Sequence, residues 1–504
     1  MGTFPQTIHF IGSNMPRRME IAIRDLDVEG TIPAEIDGAF FRAVPDNAHA
    51  PIYEDDIALN ADGMISRFAI RDGAVDFDIR YVQTDRYKAE KEARRALFGR
   101  YRNPFTDDPS VRGVDRTVAN TTPVWHAGRL LMTKEDGLGY EIDPHSLETI
   151  GKWTYGGALR SETFTAHPRI DPHTGEMFFF GYEAGGLCTP DVAYCIADKD
   201  GRLISEQWFQ QPYCATIHDF VVTERYAIFP IFPTTTDMAR LKSGGAHWAH
   251  QQDLESWIGI MPRYGKVGDM KWIKGPVGVS AFHEVNGFDE GDLVHVDFCL
   301  TSSNAFPFMR EAGGIQIPQP ELQGALTRWT IDMSATEPMI VERPIGPPGD
   351  LPRIADADQG RPYRHVWYPS MNPQGGPPML GGPVGANFNC LLALDLGNGR
   401  VEALGLPPGA AISEPVHIPA AQAGHDGWLL TVVDLPPNPD PGQQVPGDYL
   451  SELWVLDAGN IAAGPVAKVR TGLALRSQVH GTWVSRAKLD GAVHAKNRSP
   501  LPRA

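Results

Sequence analysis

The chain has 504 residues, 42% of them hydrophobic and 21% charged, with a formal net charge of −17. That composition supplies a large apolar core. The acidic balance, with no basic stripe, argues against a nucleic-acid partner and more weakly against docking on anionic membranes.

In chain order, the opening MGTFPQTIHF has no basic segment followed by an apolar one, so no signal peptide is expected. Helical periodicity is convincing only over 85–100 (DRYKAEKEARRALFGR), with a weaker candidate at 247–257. Otherwise short apolar runs recur: GEMFFFGYEA, YAIFPIFP, SWIGIMP, DLVHVDFCL, CLLALDLGNGRVEAL, GWLLTVVDL and ELWVLDAG. Turn dipeptides separate them, so they predict strands. The Gly/Pro-rich stretches 371–385 and 435–448 read as surface loops rather than linkers. No run of about 18 apolar residues predicts a membrane span. The five cysteines (Cys188, Cys195, Cys214, Cys299, Cys390) show no CxxC spacing, which points to free thiols in a cytoplasmic setting.

So many short strands in one long chain predict an all-β fold, a sandwich, barrel or propeller. A seven-bladed β-propeller fits best, at about 40–50 residues per blade with room for a loop and helix dome over the axis. Residues 1–504 are expected to form one domain. A degenerate repeat supports this: HPRIDPHTGEMFFFGYE, HDFVVTERYAIFPIFP and HEVNGFDEGDLVHVDFC each run from a histidine through a turn into an apolar strand. Histidines at equivalent points of successive blades converge on the axis, where residues far apart in sequence can share a metal ion. The pair His247 and His250, flanking Trp248, has chelating spacing. With no third ligand nearby, it is expected on a loop or helix surface.

At FTAHPRIDP, IHDFVVT, AFHEVNGF and QVHGTW the sequence resembles the carotenoid cleavage oxygenase family. These segments carry His167, His218, His283 and His480, at spacings of 51, 65 and 197. The resemblance also covers GAFFRAVPDN, the DGM at 62–64, GDLPRI around Asp350 and SEPVHIP at 413–419. It implies Fe(II) on the propeller axis, held by those four neutral imidazoles, with positions left for oxygen or water. Glu135, Asp350 and Glu414 stand at the family's carboxylate positions, which implies that they fix the imidazoles of His218, His283 and His480. Asp350 replaces a customary glutamate. Being one methylene shorter, it leaves open a direct contact, a water-mediated one or none. His417 shares the histidine-turn-strand pattern but is left outside the site.

RYRNPF around Tyr101 and LMTKEDG around Lys134 are most similar to the bacterial lignostilbene dioxygenases. That resemblance implies that Tyr101 and Lys134 hold the 4-hydroxyl of a phenolic stilbene. A phenolate pushes electron density toward the alkene, and an ammonium in a dry pocket favours the anion. Moving a phenol from about 10 to about 8 takes about 2.7 kcal/mol. The implied reaction inserts both atoms of O2 across the central C=C bond and releases two aromatic aldehydes. Lys134 and Glu135 are neighbours, so both reach one site only past a strand end. Leu59 stands where some stilbene cleavers place an aromatic wall, which implies a roomier pocket for a bulkier lignin-derived stilbene. Three rivals remain: an apocarotenoid-cleaving or isomerising oxygenase, a non-catalytic propeller binding module, and a calcium-dependent lactonase. The sequence leaves open whether two copies pair as a homodimer.

Overall fold

The computed structural model describes residues 3–306, 308–314, 323–383, 386–437 and 448–493. Residues 384–385 and 438–447, within the two loops expected from the Gly/Pro-rich stretches, lie outside the described residues.

Seven sheets follow one another along the chain and form a seven-bladed β-propeller. The first contains Ile21–Ile23, Gly38–Pro45, Gly63–Arg71 and Ala74–Tyr81. The second runs from Thr122–His126 to Thr149–Lys152, and the third from Arg169–Ile170 to Leu203–Gln210. The fourth runs from Val221–Val222 to Lys271–Val277, the fifth from Ser280–Glu290 to Ile340–Gly346, and the sixth from His365–Ser370 to Arg400–Gly405. The seventh is built on Trp428–Leu435, Leu450–Asp457 and Pro465–Arg470.

Both chain ends cross over to close the ring. Asp27–Gly30 pairs antiparallel with Pro465–Arg470 in the last sheet, and Gly481–Ser485 pairs with Gly38–Pro45 in the first. Packing tells the same story, because one buried apolar cluster seals each pair of neighbouring sheets. The seventh of these joins Phe40, Phe68 and Phe77 of the first sheet to Leu430, Leu453 and Val469 of the last.

This packing explains the continuous apolar runs. In Met177–Tyr182, Phe178, Phe180 and Tyr182 pack toward the fourth sheet, while Met177 and Phe179 pack toward the second. A strand buried on both faces has no polar side to alternate with. Phe180 is fully buried, with its ring centroid 4.9 Å from that of Phe220. Phe180→Ala should cost about 3–5 kcal/mol, read as a lower urea midpoint.

A small sheet stands apart from the blades. Thr234–Thr235 pairs antiparallel with Ala249–His250, which pairs parallel with Arg310–Glu311. Residues 247–257 are not helical, and the helix in that region is Met238–Lys242. His247 and His250 are not on a surface but buried, at 2% and 0% exposure, His250 as part of this sheet and His247 against Tyr101 and Trp248. The helix expected over 85–100 is Asp85–Ala93, capped by the Thr84 side chain and ended by Arg94 in the left-handed region. No helix among the described residues is long and apolar enough to cross a membrane.

Candidate metal centre and substrate pocket

Four sheets deliver one histidine each. His167 and His218 sit two and three residues before the strands Arg169–Ile170 and Val221–Val222, and His480 immediately precedes Gly481–Ser485. His283 lies inside Ser280–Glu290, where the ladder with the next strand slips between Ala281 and Glu284 and again before Asn286. Such a bulge re-aims a side chain that regular pleating would point elsewhere.

The four imidazoles meet. One nitrogen from each lies within 4.8 Å of the others. His167 Nε2 is 3.0 Å from His218 Nε2, which is 3.3 Å from His283 Nε2. On their other sides three rings face carboxylates. Glu135 Oε1 is 3.3 Å from His218 Nδ1, Asp350 Oδ1 is 2.8 Å from His283 Nδ1, and Glu414 Oε1 is 2.9 Å from His480 Nδ1. Asp350 therefore makes its contact directly despite its shorter side chain, and the next residue, Leu351, takes φ +54°. Glu414 is fixed further, because its Oε2 accepts from Gly481 N at 2.8 Å.

The carboxylates set the tautomers. With each Nδ1–H donated outward, the Nε2 atoms turn lone pairs toward one point. His480 Nε2 is buried and meets no partner among the described residues. Burial holds His167, His218 and His480 below the usual histidine range. Burial also opposes charge on His283, but the Asp350 carboxylate more than offsets it and raises that group. Converging lone pairs on buried rings fit a divalent transition metal of imidazole preference, such as iron. Glu414→Ala should weaken retention of such an ion by about 10–100-fold, read as iron lost to a chelator.

Phe282 joins the cluster to a pocket. Its ring lies 4.0 Å from that of His218 and 4.5 Å from that of Phe306. Leu59, Tyr101, Trp248 and Phe308 complete a buried apolar group around it. Tyr101 packs here, at 4.9 Å from Trp248. Lys134 and Glu135 both follow the end of Arg129–Thr133, so strand alternation does not separate them. Lys134 Nζ donates to Asn120 Oδ1 at 2.9 Å and to Leu59 O at 3.2 Å, and stands 5.1 Å from the Tyr101 ring centroid. An ammonium has three protons to donate. The Tyr101 hydroxyl is buried with no partner among the described residues, and burial and then Glu135 keep it protonated. A cavity of about 110 Å³ runs from Tyr101, His247 and Trp248 out to Asp55, Arg100 and Arg310. Asn120 and Phe282 carry no signal in the sequence, and the His247–Trp248 motif was expected on a surface. Nothing in a loop Asn or an isolated HxxH marks it as facing a pocket.

The profile of the family described as retinal pigment epithelial membrane protein matches residues 14–485. The chain is 39% identical over 496 residues to lignostilbene-alpha,beta-dioxygenase isozyme III of Sphingomonas paucimobilis, covering 97% of this chain and 99% of that protein. It is 38% identical over 481 residues to isoeugenol monooxygenase of Pseudomonas nitroreducens, covering 94% and 98%. The crystal structure of Pseudomonas brassicacearum lignostilbene dioxygenase superposes with a TM-score of 0.89 at 38% identity, covering 96% of this chain and all of that one. The chain therefore belongs to this family, the carotenoid cleavage oxygenases.

Proposed function

We propose that this chain is an Fe(II)-dependent dioxygenase that cleaves the central C=C bond of a 4-hydroxystilbene into two aromatic aldehydes. The observation that carries this reading is the placement of Lys134 against Tyr101, in an aromatic cluster that reaches the imidazoles through Phe282. His167, His218, His283 and His480 hold the ion, and Glu135, Asp350 and Glu414 keep three of those rings oriented. Bound ferrous iron supplies the centre at which dioxygen becomes reactive toward the alkene.

The protein's own groups do the rest. The apolar walls exclude water, which strengthens every charge interaction inside. Lys134 stabilises the substrate oxygen as a phenolate, and Tyr101 donates its unpaired hydroxyl to the same oxygen. Leu59 leaves room for a ring substituent at the pocket wall.

Incubating iron-loaded protein with trans-4-hydroxystilbene under labelled dioxygen should give two aldehydes, each carrying one labelled oxygen. Absence of aldehyde would overturn the substrate assignment, and cleavage of an apocarotenal instead would favour the first rival. A folded protein that takes up no iron would favour the binding-module reading. We place the enzyme in the cytoplasm, acting as one domain over 1–504, in keeping with five free cysteines. Sedimentation decides between a monomer and a homodimer.

A further inference from the structure

The pocket holds more unpaired polar atoms than a phenol oxygen can satisfy. Tyr101 Oη, Trp248 Nε1 and His247 Nδ1 are all buried, and none meets a hydrogen-bond partner among the described residues. Their rings are neighbours, with centroids 4.9 Å apart for Tyr101 and Trp248 and 6.1 Å for each of the other two pairs. All three residues line the cavity that opens toward Asp55 and Arg310. Folded proteins leave few buried polar groups without partners, because each costs its full desolvation. Three around one cavity mark a place that a ligand completes. In the reading above, Lys134 and Tyr101 take the phenol oxygen, which leaves Trp248 and His247 over.

We propose that His247 and Trp248 form a second polar subsite, which recognises an additional oxygen substituent on the phenol-bearing ring of the substrate. This rests on the stilbene reading and deepens it. An indole N–H can only donate, so Trp248 needs an acceptor oxygen, which a methoxyl and a hydroxyl both provide. His247 adds a distinction. Glu183 Oε2 stands 3.2 Å from His247 Nε2, off the straight line of a good hydrogen bond. That carboxylate draws the ring proton to Nε2 and leaves Nδ1 as an acceptor. Only a hydroxyl can satisfy both neighbours, accepting from Trp248 and donating to His247.

The acid that sets this tautomer is itself held firmly. Glu183 accepts from Arg102 Nη2 at 2.5 Å and from Cys188 N at 2.6 Å. Its own backbone sits at φ +52°, a conformation a non-glycine residue keeps only under constraint. Arg102 is anchored in turn on Glu135 O and over the Tyr182 ring. The motif expected to lie idle on a surface thus becomes a buttressed wall of the pocket.

The test compares trans-4-hydroxystilbene with its 3-methoxy and 3-hydroxy derivatives. Calorimetry on the metal-free protein gives Kd for each, and kcat/KM is measured on the iron-loaded enzyme. The wild type should bind the 3-hydroxy compound about ten-fold more tightly than the plain phenol, with the 3-methoxy compound between them. Trp248→Phe should remove the advantage of methoxyl over hydrogen, bringing those two within about two-fold, and keep that of hydroxyl over methoxyl. His247→Leu should remove the advantage of hydroxyl over methoxyl and keep that of methoxyl over hydrogen. A wild type that binds the three alike, or a Trp248→Phe protein that still prefers methoxyl to hydrogen, overturns the subsite. Failure of the iron-loaded wild type to cleave any of the three would instead sink the alkene-cleavage reading, and the ranking in the metal-free protein still decides this inference.

Discussion

Alanine at His283 should leave the protein without iron and without turnover. In the wild type the imidazole is buried and bonded through Nδ1 to Asp350 at 2.8 Å. Its Nε2 lies 3.3 Å from that of His218. Removing it takes away one of four donors and leaves the Asp350 carboxylate buried without its imidazole partner. Iron should fall from about one ion per chain to under about a tenth. Stability should drop by about 3–5 kcal/mol, the cost of stranding one partner of a buried pair. These two losses can be told apart. His283→Ala combined with Asp350→Asn discharges the stranded acid, so the melting temperature should recover in large part while iron content stays near zero. Elemental analysis and thermal unfolding of both variants check this. Stoichiometric iron in the single variant would remove His283 from the ligand set.

Methionine at Lys134 should do the reverse, keeping iron and losing turnover on phenols. The Nζ atom is fully enclosed, and its partners Asn120 Oδ1 and Leu59 O are neutral. Burial therefore pulls its pKa below the usual lysine range, with Asp136 and Glu135 opposing. An ammonium in that position gains from an anion more than one in water does, and a phenolate is the anion the reaction wants. Loss of the cation should lower kcat/KM for 4-hydroxystilbene by about 10²–10³. The methyl ether, which cannot ionise, should react slowly and alike with both proteins. The pH profile gives the sign. Raising the pH through the depressed lysine pKa discharges the ammonium, so wild-type kcat/KM on phenols should fall on the alkaline side. That limb should vanish in Lys134→Met. A variant that keeps full rate on the phenol would end the phenolate argument.

Much of this arrangement is legible in the sequence alone. The offset from His167 to Met177 and from His283 to Leu293 marked the start of the next strand in both sheets, because a propeller repeats the same turn at each inner edge. The end of Arg129–Thr133 fell where Lys134 and Glu135 needed it, since EDG cannot continue a strand. What periodicity could not convey was the dome. Ala249–His250 is only two residues long and pairs with Arg310–Glu311, about sixty positions away. No local pattern announces such a strand, so His247 and Trp248 read as surface while they stand at the pocket wall. Asn120 escaped for a related reason. Its value is to hold Lys134 Nζ with one end and the Leu59 and Ala61 carbonyls with the other, a task defined wholly by tertiary geometry.

Ring closure imposes an order of events on the living chain. His480 belongs to the segment that bonds to Ala43 in both directions, through its own carbonyl and through the amide of Val479. It arrives immediately ahead of Gly481–Ser485, the strand that seals the first sheet. Three ligands are spread over His167 to His283, whereas the fourth follows 197 positions later. Until that segment docks, the axis presents only three of the four imidazoles. In the reading proposed above, a four-imidazole site therefore forms only once Gly481–Ser485 has paired with Gly38–Pro45, so the closure of the ring and the assembly of the ion's donors are one event.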